Sequence, residues 1–218
     1  MEQDPIPIAE LLKKSAAELS LSIPDFSIPH FCSYLNELKK WNKAINLTAI
    51  RDDREIVVKH FIDSLAGLKV IEIHDGNKLL DVGAGAGFPA IPIKLVRPDL
   101  YIELLEPSEK KGSFLRYLIG SLGLHGASVA TIKFENYLDR ESNRRLFDYI
   151  VVRAFKVDTL GLALGNLLND RGKLVLFRAS KVERDFKLDS LALIQEVEYE
   201  LPSGYGHRTL SVFSRQTA

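Results

Sequence analysis

Apolar residues in the first 75 positions recur at helical spacing. The first stripe runs from Ile8 to Leu19 and is broken at residues 21–25. A second stripe follows Ser27, which we expect to precede a helix as its N-cap, with Pro29 in the first turn. A third stripe comprises Ile56, Val57, His60, Phe61, Ser64 and Leu65. Residues 1–75 are therefore predicted to form an N-terminal helical segment packed on the core.

From Lys78 onward, short apolar runs alternate with helical stretches. The predicted strands are Leu79–Val82, Tyr101–Leu105, Ala127–Lys133, Phe147–Val152, Lys173–Phe177, Ile194–Glu200 and Arg208–Phe213. Helical patterns separate the first five strands, and another helix is predicted over Val182–Leu191. Strands that alternate with helices indicate a parallel sheet covered on both faces, so residues 76–218 are predicted to form one α/β domain.

The connection between the last two strands is too short for a parallel crossover. Residues 201–207 suit a hairpin, so the final strand is predicted to be antiparallel. If the sixth strand is parallel to the first five, this turn emerges at the ligand-binding edge of the sheet. Tyr205, His207 and Arg208 could then stack on a base or hold a phosphate, and a mobile hairpin tip is the alternative.

The composition is that of an ordinary globular protein. Apolar residues make up 46% and charged residues 27%, and Lys plus Arg equals Asp plus Glu at 29 each. This neutral balance counts against a generic nucleic-acid coat but allows a local basic face. The single cysteine cannot form an internal disulfide, and no apolar run has membrane-spanning length. The amino terminus lacks signal-peptide features, so a cytoplasmic enzyme is expected.

A glycine-rich turn follows the first predicted strand. Its pattern, Asp81-Val-Gly83-Ala-Gly85-Ala-Gly87-Phe88, permits unusual dihedrals and a close ligand approach. Phe88 stands where a dinucleotide fingerprint needs glycine, and the lysine of a phosphate loop is absent. The spacing favours S-adenosylmethionine, because a carboxylate favours the positive ammonium and sulfonium of this phosphate-free cofactor. The candidate cofactor-binding residues of the turn are Asp81, Gly83, Gly85 and Phe88.

An acid also ends the second predicted strand. Glu106 is placed to accept hydrogen bonds from ribose hydroxyls, by the logic of dinucleotide folds. A turn that merely connects strand to helix is the alternative, and Glu106 and the closing hairpin argue against it. Lys110 and Lys111 follow directly at the start of a helix, where they form either a solvated face or an RNA-facing one. The scattered histidines and lone cysteine indicate no metal site.

Four segments carry a family resemblance. WNKAINLTAI at residues 41–50, HFIDSL at 60–65, DVGAGAGFP at 81–89 and RAF at 153–155 occur in the order typical of the RsmG family, also called GidB. The resemblance extends from about Phe31 to Phe213. It implies a class I methyltransferase fold dependent on S-adenosylmethionine, with a Rossmann-like seven-stranded sheet whose last strand is antiparallel. It also implies methyl transfer to N7 of a guanine in 16S ribosomal RNA of the small subunit.

The resemblance assigns roles residue by residue. Gly83 and Phe88 match the cofactor-binding turn of the family. Phe134 and Glu135 match the pair beside the adenine, and Arg153 matches the cofactor-site arginine. The implied partner is 16S ribosomal RNA or the small ribosomal subunit, without a membrane, and we expect a monomer.

Three positions depart from the family pattern. Glu106 stands where aspartate is usual, which keeps the acceptor but lengthens its reach. Ala90 replaces the usual glycine after Phe88-Pro89. Arg178 replaces a lysine after the fifth strand, which keeps the cation but changes its hydrogen-bond geometry, and it is our candidate for an RNA contact.

The expected chemistry needs no general base. Guanine N7 carries a free lone pair, so catalysis is expected from positioning and electrostatics, with Arg153 as an orienting or phosphate-contacting group. His60 is expected to be a satisfied, partly buried histidine. The alternatives are a methyltransferase of a small molecule or protein, a non-catalytic module that binds the cofactor or RNA, and a nicotinamide oxidoreductase, which Phe88 disfavours.

Overall fold

The computed structural model describes residues 7–139, 141, 144–153, 161–183, 186–188 and 190–215. Helices α1 (Ile8–Glu18) and α2 (Ile28–Ile45) come first. Helix α3 covers residues 53–69 and has a π-helical stretch at Val57–Ile62. Ser27 precedes α2 as predicted, but its hydroxyl donates to the Pro24 carbonyl instead of capping the helix.

The described residues form a seven-stranded sheet in the order β3-β2-β1-β4-β5-β7-β6. The strands are β1 (Lys78–Val82), β2 (Tyr101–Leu105), β3 (Ala127–Ala130), β4 (Phe147–Arg153), β5 (Leu168–Arg178), β6 (Leu191–Glu200) and β7 (His207–Arg215). Strands β1 to β5 pair in parallel, and β7 is antiparallel to both β5 and β6. The predicted antiparallel last strand is therefore confirmed, and the β6–β7 turn emerges at the carboxyl edge of the parallel strands.

Helices cover both faces of this sheet. They are α4 (Ala90–Val96), α5 (Glu109–Ser121), α6 (Phe134–Leu138) and α7 (Gly161–Leu167). The helix predicted over Val182–Leu191 is wrong, because the described residues of that range are not helical and β6 begins at Leu191. Leu188 is buried beside residues of α7, so the apolar spacing reflects packing of an extended segment.

Successive residues of a strand point to opposite faces of the sheet, so they pack into two separate hydrophobic cores. Leu79 of β1 packs with helices α1 to α5, whereas Leu80 packs on the other face with α6 and α7. Each fully buried leucine contributes about 1.5–3 kcal/mol. The first core joins residues from both sides of position 75, and the boundary there stays a prediction. Within the described part of the chain, no helix is both long and apolar enough to cross a bilayer.

Candidate cofactor site and adjoining cleft

The glycine-rich turn leaves β1 and is tied to the end of β2. The Gly83 and Ala84 amides both donate to the Leu105 carbonyl, at 2.9 and 3.1 Å. Gly83, Gly85 and Gly87 all have positive φ, at 77°, 58° and 96°. Such values are strained for any residue with a side chain, which is why the turn needs glycine there.

Two of these glycines face different surroundings. A Cβ at Gly85 would meet, among the described residues, only the Gly83 carbonyl at 3.8 Å. A Cβ at Gly87 would lie 2.6 Å from Ile91 Cδ1 and 2.8 Å from the Tyr34 hydroxyl. Gly85 therefore leaves room for a ligand to approach the backbone, whereas Gly87 lets α2 and α4 pack against the turn.

Asp81 stabilises the glycine-rich turn through a buried hydrogen bond. Its carboxyl is fully buried, and Oδ2 accepts a hydrogen bond from the Ala90 amide at 3.1 Å. Burial raises the pKa of this carboxyl to about 7. Oδ1 has no hydrogen-bond partner among the described residues. Because its carboxyl is inaccessible to solvent, Asp81 acts by shaping the turn. A direct contact with a cofactor ammonium would require the carboxyl to become accessible.

Glu106 links the turn to the loop after β2. Its side chain is buried, and Oε2 accepts from the Gly85 amide while Oε1 accepts from the Ser108 amide, both at 2.9 Å. Each carboxylate oxygen has a further lone pair, so a ribose hydroxyl can still be accepted. Lys110 and Lys111 follow in the first turn of α5, where Lys110 is exposed and Lys111 is half-buried.

The N-terminal helices α2 and α3 contact the glycine-rich turn. The Tyr34 hydroxyl of α2 donates to the Ala86 carbonyl at 2.5 Å. The Phe88 ring lies nearly parallel to Tyr34, with centroids 5.4 Å apart, and to His60, at 4.6 Å. The sequence does not reveal this role of Tyr34, because Tyr34 belongs to the apolar stripe that follows Ser27, and such a position indicates only a core residue.

Arg153 is the last residue of β4, one position beyond the Val82–Val152 pair at which the β1–β4 pairing ends and the glycine-rich turn leaves β1. Its Nη2 donates to the Lys59 carbonyl at 2.6 Å and lies 2.9 Å from Asp63 Oδ2. Nη1 is buried with no partner among the described residues. The remaining two residues of the RAF segment, Ala154 and Phe155, lie outside the described residues.

His60 is neutral at physiological pH. Burial, followed by the charge of Arg153, lowers its pKa to about 3. Nδ1 faces the Arg153 Nη2 donor at 3.4 Å and therefore acts as the acceptor, which leaves the hydrogen on Nε2 to be donated to Thr48 Oγ1 at 2.8 Å. The expectation of a satisfied, partly buried histidine is confirmed. His60 and Lys59 belong to the π-helical stretch of α3, a feature that often occurs at functional sites.

An open cleft adjoins Arg153 at the carboxyl ends of β4 and β5. We call it the arginine cleft; its volume is about 450 Å³. Its lining residues are Asp63, Arg153, Phe177, Arg178, Ala179, Ser180 and Arg208. Arg178 Nε donates to the Ser180 carbonyl at 3.3 Å, and Arg208 Nη1 donates to the His207 carbonyl at 2.7 Å. The described lining residues carry three guanidinium groups and one carboxylate. The cleft therefore has an excess of positive charge that attracts a polyanion.

Two residues predicted beside Arg208 do not line the cleft. His207 is held by Glu200 Oε1 at 2.9 Å and Glu198 Oε2 at 3.0 Å, and these carboxylates raise its pKa. Tyr205 is half-buried, with Lys59 Nζ 4.8 Å from its ring centroid. Of the predicted hairpin contacts, Arg208 is the one that faces the cleft.

The predicted adenine pair follows β3. Phe134 is buried among residues of the α6 and α7 core, so its backbone is the part that could meet a ligand. Glu135 is exposed at the start of α6. Within the described residues, no group of three or more histidines, cysteines or acids is arranged to hold a metal ion.

Residues 27–208 match the model of GidB, described as rRNA small subunit methyltransferase G. The chain belongs to this family. The match extends from α2 through the glycine-rich turn to the arginine cleft and confirms the resemblance carried by the sequence motifs.

Proteins similar to this chain bear the name Ribosomal RNA small subunit methyltransferase G. The relative from Geotalea uraniireducens is 36% identical over 214 residues, which cover 94% of this chain and 96% of that protein. The relative from Pelotomaculum thermopropionicum is 42% identical over 147 residues, which cover 67% of this chain and 62% of that protein. The match to the second relative therefore spans less than two thirds of its length.

Solved structures support the fold assignment. The structure described as MtNAS in complex with MTA and tNA aligns with a TM-score of 0.60 at 15% identity, over 96% of this chain and 86% of that one. M. jannaschii TYW2, in complex with AdoMet, aligns with a TM-score of 0.50 at 18% identity, over 66% of this chain and 72% of that one. At these identities the likeness concerns the fold alone. The predicted class I methyltransferase architecture is confirmed.

Proposed function

We propose that this protein transfers the methyl group of S-adenosylmethionine to N7 of a guanine in 16S ribosomal RNA of the small subunit. The observation that carries the proposal is the position of Arg153. It ends β4 next to the end of β1, from which the glycine-rich turn leaves, and it also lines the arginine cleft. One side chain thus joins a site suited to the cofactor with a cleft suited to RNA.

The turn fits S-adenosylmethionine. Space above Gly85 admits a close backbone approach, and Glu106 offers acceptor oxygens at the adjoining strand end. The residues proposed to hold the cofactor are Asp81, Gly83, Gly85, Phe88, Glu106, Phe134, Glu135 and Arg153, with Asp81 acting through the turn. When bound, S-adenosylmethionine supplies a methyl group that its sulfonium makes electrophilic.

The arginine cleft is the proposed entry of the RNA. Arg178 and Arg208 are partly exposed there and can bind phosphate oxygens through paired N–H donors. Such contacts fix the register of the strand without reading its sequence. Lys110, Lys111 and Tyr205 are proposed as flanking contacts, whereas His207 is already engaged by two glutamates.

The protein's contribution to the reaction is orientation. Guanine N7 attacks with its own lone pair, so no side chain has to remove a proton. Alignment of the two reactants accounts for the rate, because it converts a bimolecular encounter into an intramolecular step. Arg153 orients the target nucleotide from the wall that the two sites share. We propose that the enzyme acts in the cytoplasm as a monomer.

The test uses S-adenosylmethionine with a labelled methyl group. The protein is incubated with naked small-subunit RNA, with assembled small subunits, or with total cellular protein, and the label is mapped. Label in the RNA is expected. Label in protein or a small molecule supports the alternative methyltransferase, and verified cofactor binding with no transfer at all supports the non-catalytic module.

A matched pair of variants tests the entry cleft. Arg178→Gln and Arg208→Gln each remove one phosphate partner, so the slope of log affinity for RNA against log salt should fall by about 0.7–0.9 each. Arg145→Gln removes the same charge beside the amino end of β4, where Arg145 pairs with Asp170 on the surface at 2.9 Å. This control should keep the wild-type slope, and equal slopes in all three variants would argue against the cleft.

A further inference from the structure

Asp63 lies at the base of the arginine cleft and is almost inaccessible to solvent, with 3% of its side chain exposed. Oδ2 lies 2.9 Å from Arg153 Nη2. Oδ1 accepts a hydrogen bond from the Tyr199 hydroxyl at 2.6 Å and lies 3.9 Å from Arg208 Nε. One carboxylate of α3 thus connects the end of β4 with the β6–β7 hairpin.

The 2.9 Å contact fixes the direction of the Arg153 guanidinium, and Asp63 attracts Arg208 across 3.9 Å without a hydrogen bond. Arg153 and Arg208 each bring one nitrogen toward Asp63, yet 19% and 26% of their side chains remain exposed. A buried carboxylate must keep its partners because an unpaired buried charge is strongly unfavourable. Tyr199 stays protonated, since burial and the neighbouring Asp63 raise its pKa, and it donates to the remaining oxygen. Both arginines therefore line the cleft with one nitrogen directed toward Asp63.

The charge of Asp63 also matters for the proposed reaction. As the N7 lone pair forms the new N–C bond, the electron pair of the C–S bond returns to sulfur, and positive charge moves from the sulfonium to the base. An uncompensated guanidinium nearby opposes this movement. A carboxylate 2.9 Å from Arg153 offsets the guanidinium charge while leaving its donors in place.

We propose that Asp63 is a positioning residue for methyl transfer, which fixes Arg153 on the cleft wall and offsets the charge of Arg153 and Arg208 beside the methylated base. This inference rests on the proposed function. It predicts different effects on RNA binding and on turnover, because removing the carboxylate makes the cleft more positive. RNA then binds at least as well, while the chemical step becomes slower.

The test compares Asp63→Asn with a control on the same helix. Asp53→Asn removes an equal charge from the first turn of α3, where Asp53 pairs with Lys39 on the surface at 2.7 Å. For Asp63→Asn, kcat should fall by about tenfold, while KM for RNA does not rise and the salt slope of RNA binding becomes steeper. Asp53→Asn should keep the wild-type kcat, KM and slope. Cofactor binding, followed by calorimetry, should stay at the wild-type level in Asp53→Asn and checks that Asp63→Asn still presents a folded glycine-rich turn.

Several results would overturn this role. A wild-type kcat in Asp63→Asn, or a raised KM for RNA together with weakened cofactor binding, would mean that Asp63 merely stabilises the fold. If Asp63→Asn does not fold, Tyr199→Phe tests the same role of Asp63. That variant removes one hydrogen bond and keeps the carboxylate, so kcat should fall by about two- to fivefold at an unchanged KM for RNA. A wild-type kcat there would overturn the proposal.

Assays of the wild-type protein distinguish failure of the proposed function from failure of the role of Asp63. A wild-type protein that binds the cofactor but labels no ribosomal RNA overturns the proposed function, and with it the role of Asp63. An active wild type beside an equally active Asp63→Asn overturns the role of Asp63 alone.

Discussion

Gly87 tests whether the N-terminal helices hold the cofactor turn. Its φ is +96°, and a Cβ there would lie 2.6 Å from Ile91 Cδ1 and 2.8 Å from the Tyr34 hydroxyl. Gly76 is the matched control, because its φ is +81° and no described atom lies within 4 Å of its Cβ position. Alanine at either site is strained in the backbone, but only Gly87→Ala also collides with neighbours.

The expected stability losses follow from this difference. Alanine at positive φ costs about 1–2 kcal/mol at either position. Overpacking against Ile91 and Tyr34 adds about 1–3 kcal/mol for Gly87→Ala alone. In a chain of this size each kcal/mol lowers Tm by about 2–4 °C. Gly76→Ala should therefore lower Tm by about 2–8 °C and Gly87→Ala by about 4–20 °C.

Thermal unfolding and a calorimetric titration with S-adenosylmethionine measure the two effects. Gly76→Ala should keep the wild-type cofactor affinity, whereas Gly87→Ala should lose at least about tenfold, which corresponds to 1.4 kcal/mol. Equal Tm losses in the two variants, or an unchanged affinity in Gly87→Ala, would refute the reasoning that α2 and α4 fix the turn.

Three further predictions follow from the site. Gly85→Ala has the same backbone strain but open space, so it should match Gly76→Ala in Tm while weakening cofactor binding by at least about tenfold; wild-type affinity would contradict this. Glu106→Gln keeps one acceptor for two backbone amides, so unfolding should become easier by about 1.5–3 kcal/mol, and an unchanged Tm would count against these bonds. Because the folded pKa of His60 is about 3 against 6.5 unfolded, its contribution to stability is complete above pH 6.5 and is lost toward pH 3. NMR should find no titration of His60 between pH 5 and 8, and a midpoint near 6.5 would contradict its burial.

The sheet was predictable because strand patterns are local. Apolar runs bounded by turns located all seven strands, and the short connection at residues 201–207 required an antiparallel end. Strand ends were less certain, since β3 stops at Ala130 and β5 begins as early as Leu168. The error over Val182–Leu191 shows that apolar spacing cannot separate a helix from an extended segment packed on one side.

The supports of the site were not predictable in the same way. Tyr199 and Asp63 are separated by 136 positions, and Arg153 and Lys59 by 94, so only the folded chain brings them together. A signal was present in HFIDSL, where Asp63 follows Phe61 and Ile62 inside a predicted helix. An acid in such a place must have buried partners, but the sequence does not identify them.

The central claim concerns one atom, and analysis of the RNA product tests it most directly. Small-subunit RNA methylated by the protein with labelled S-adenosylmethionine is digested to nucleosides, which are separated and identified by mass spectrometry. Our account predicts that the label is found in 7-methylguanosine and disappears with Gly85→Asp, which blocks the turn. Label on N1 or N2 of guanine, on another base or on a ribose oxygen would contradict it.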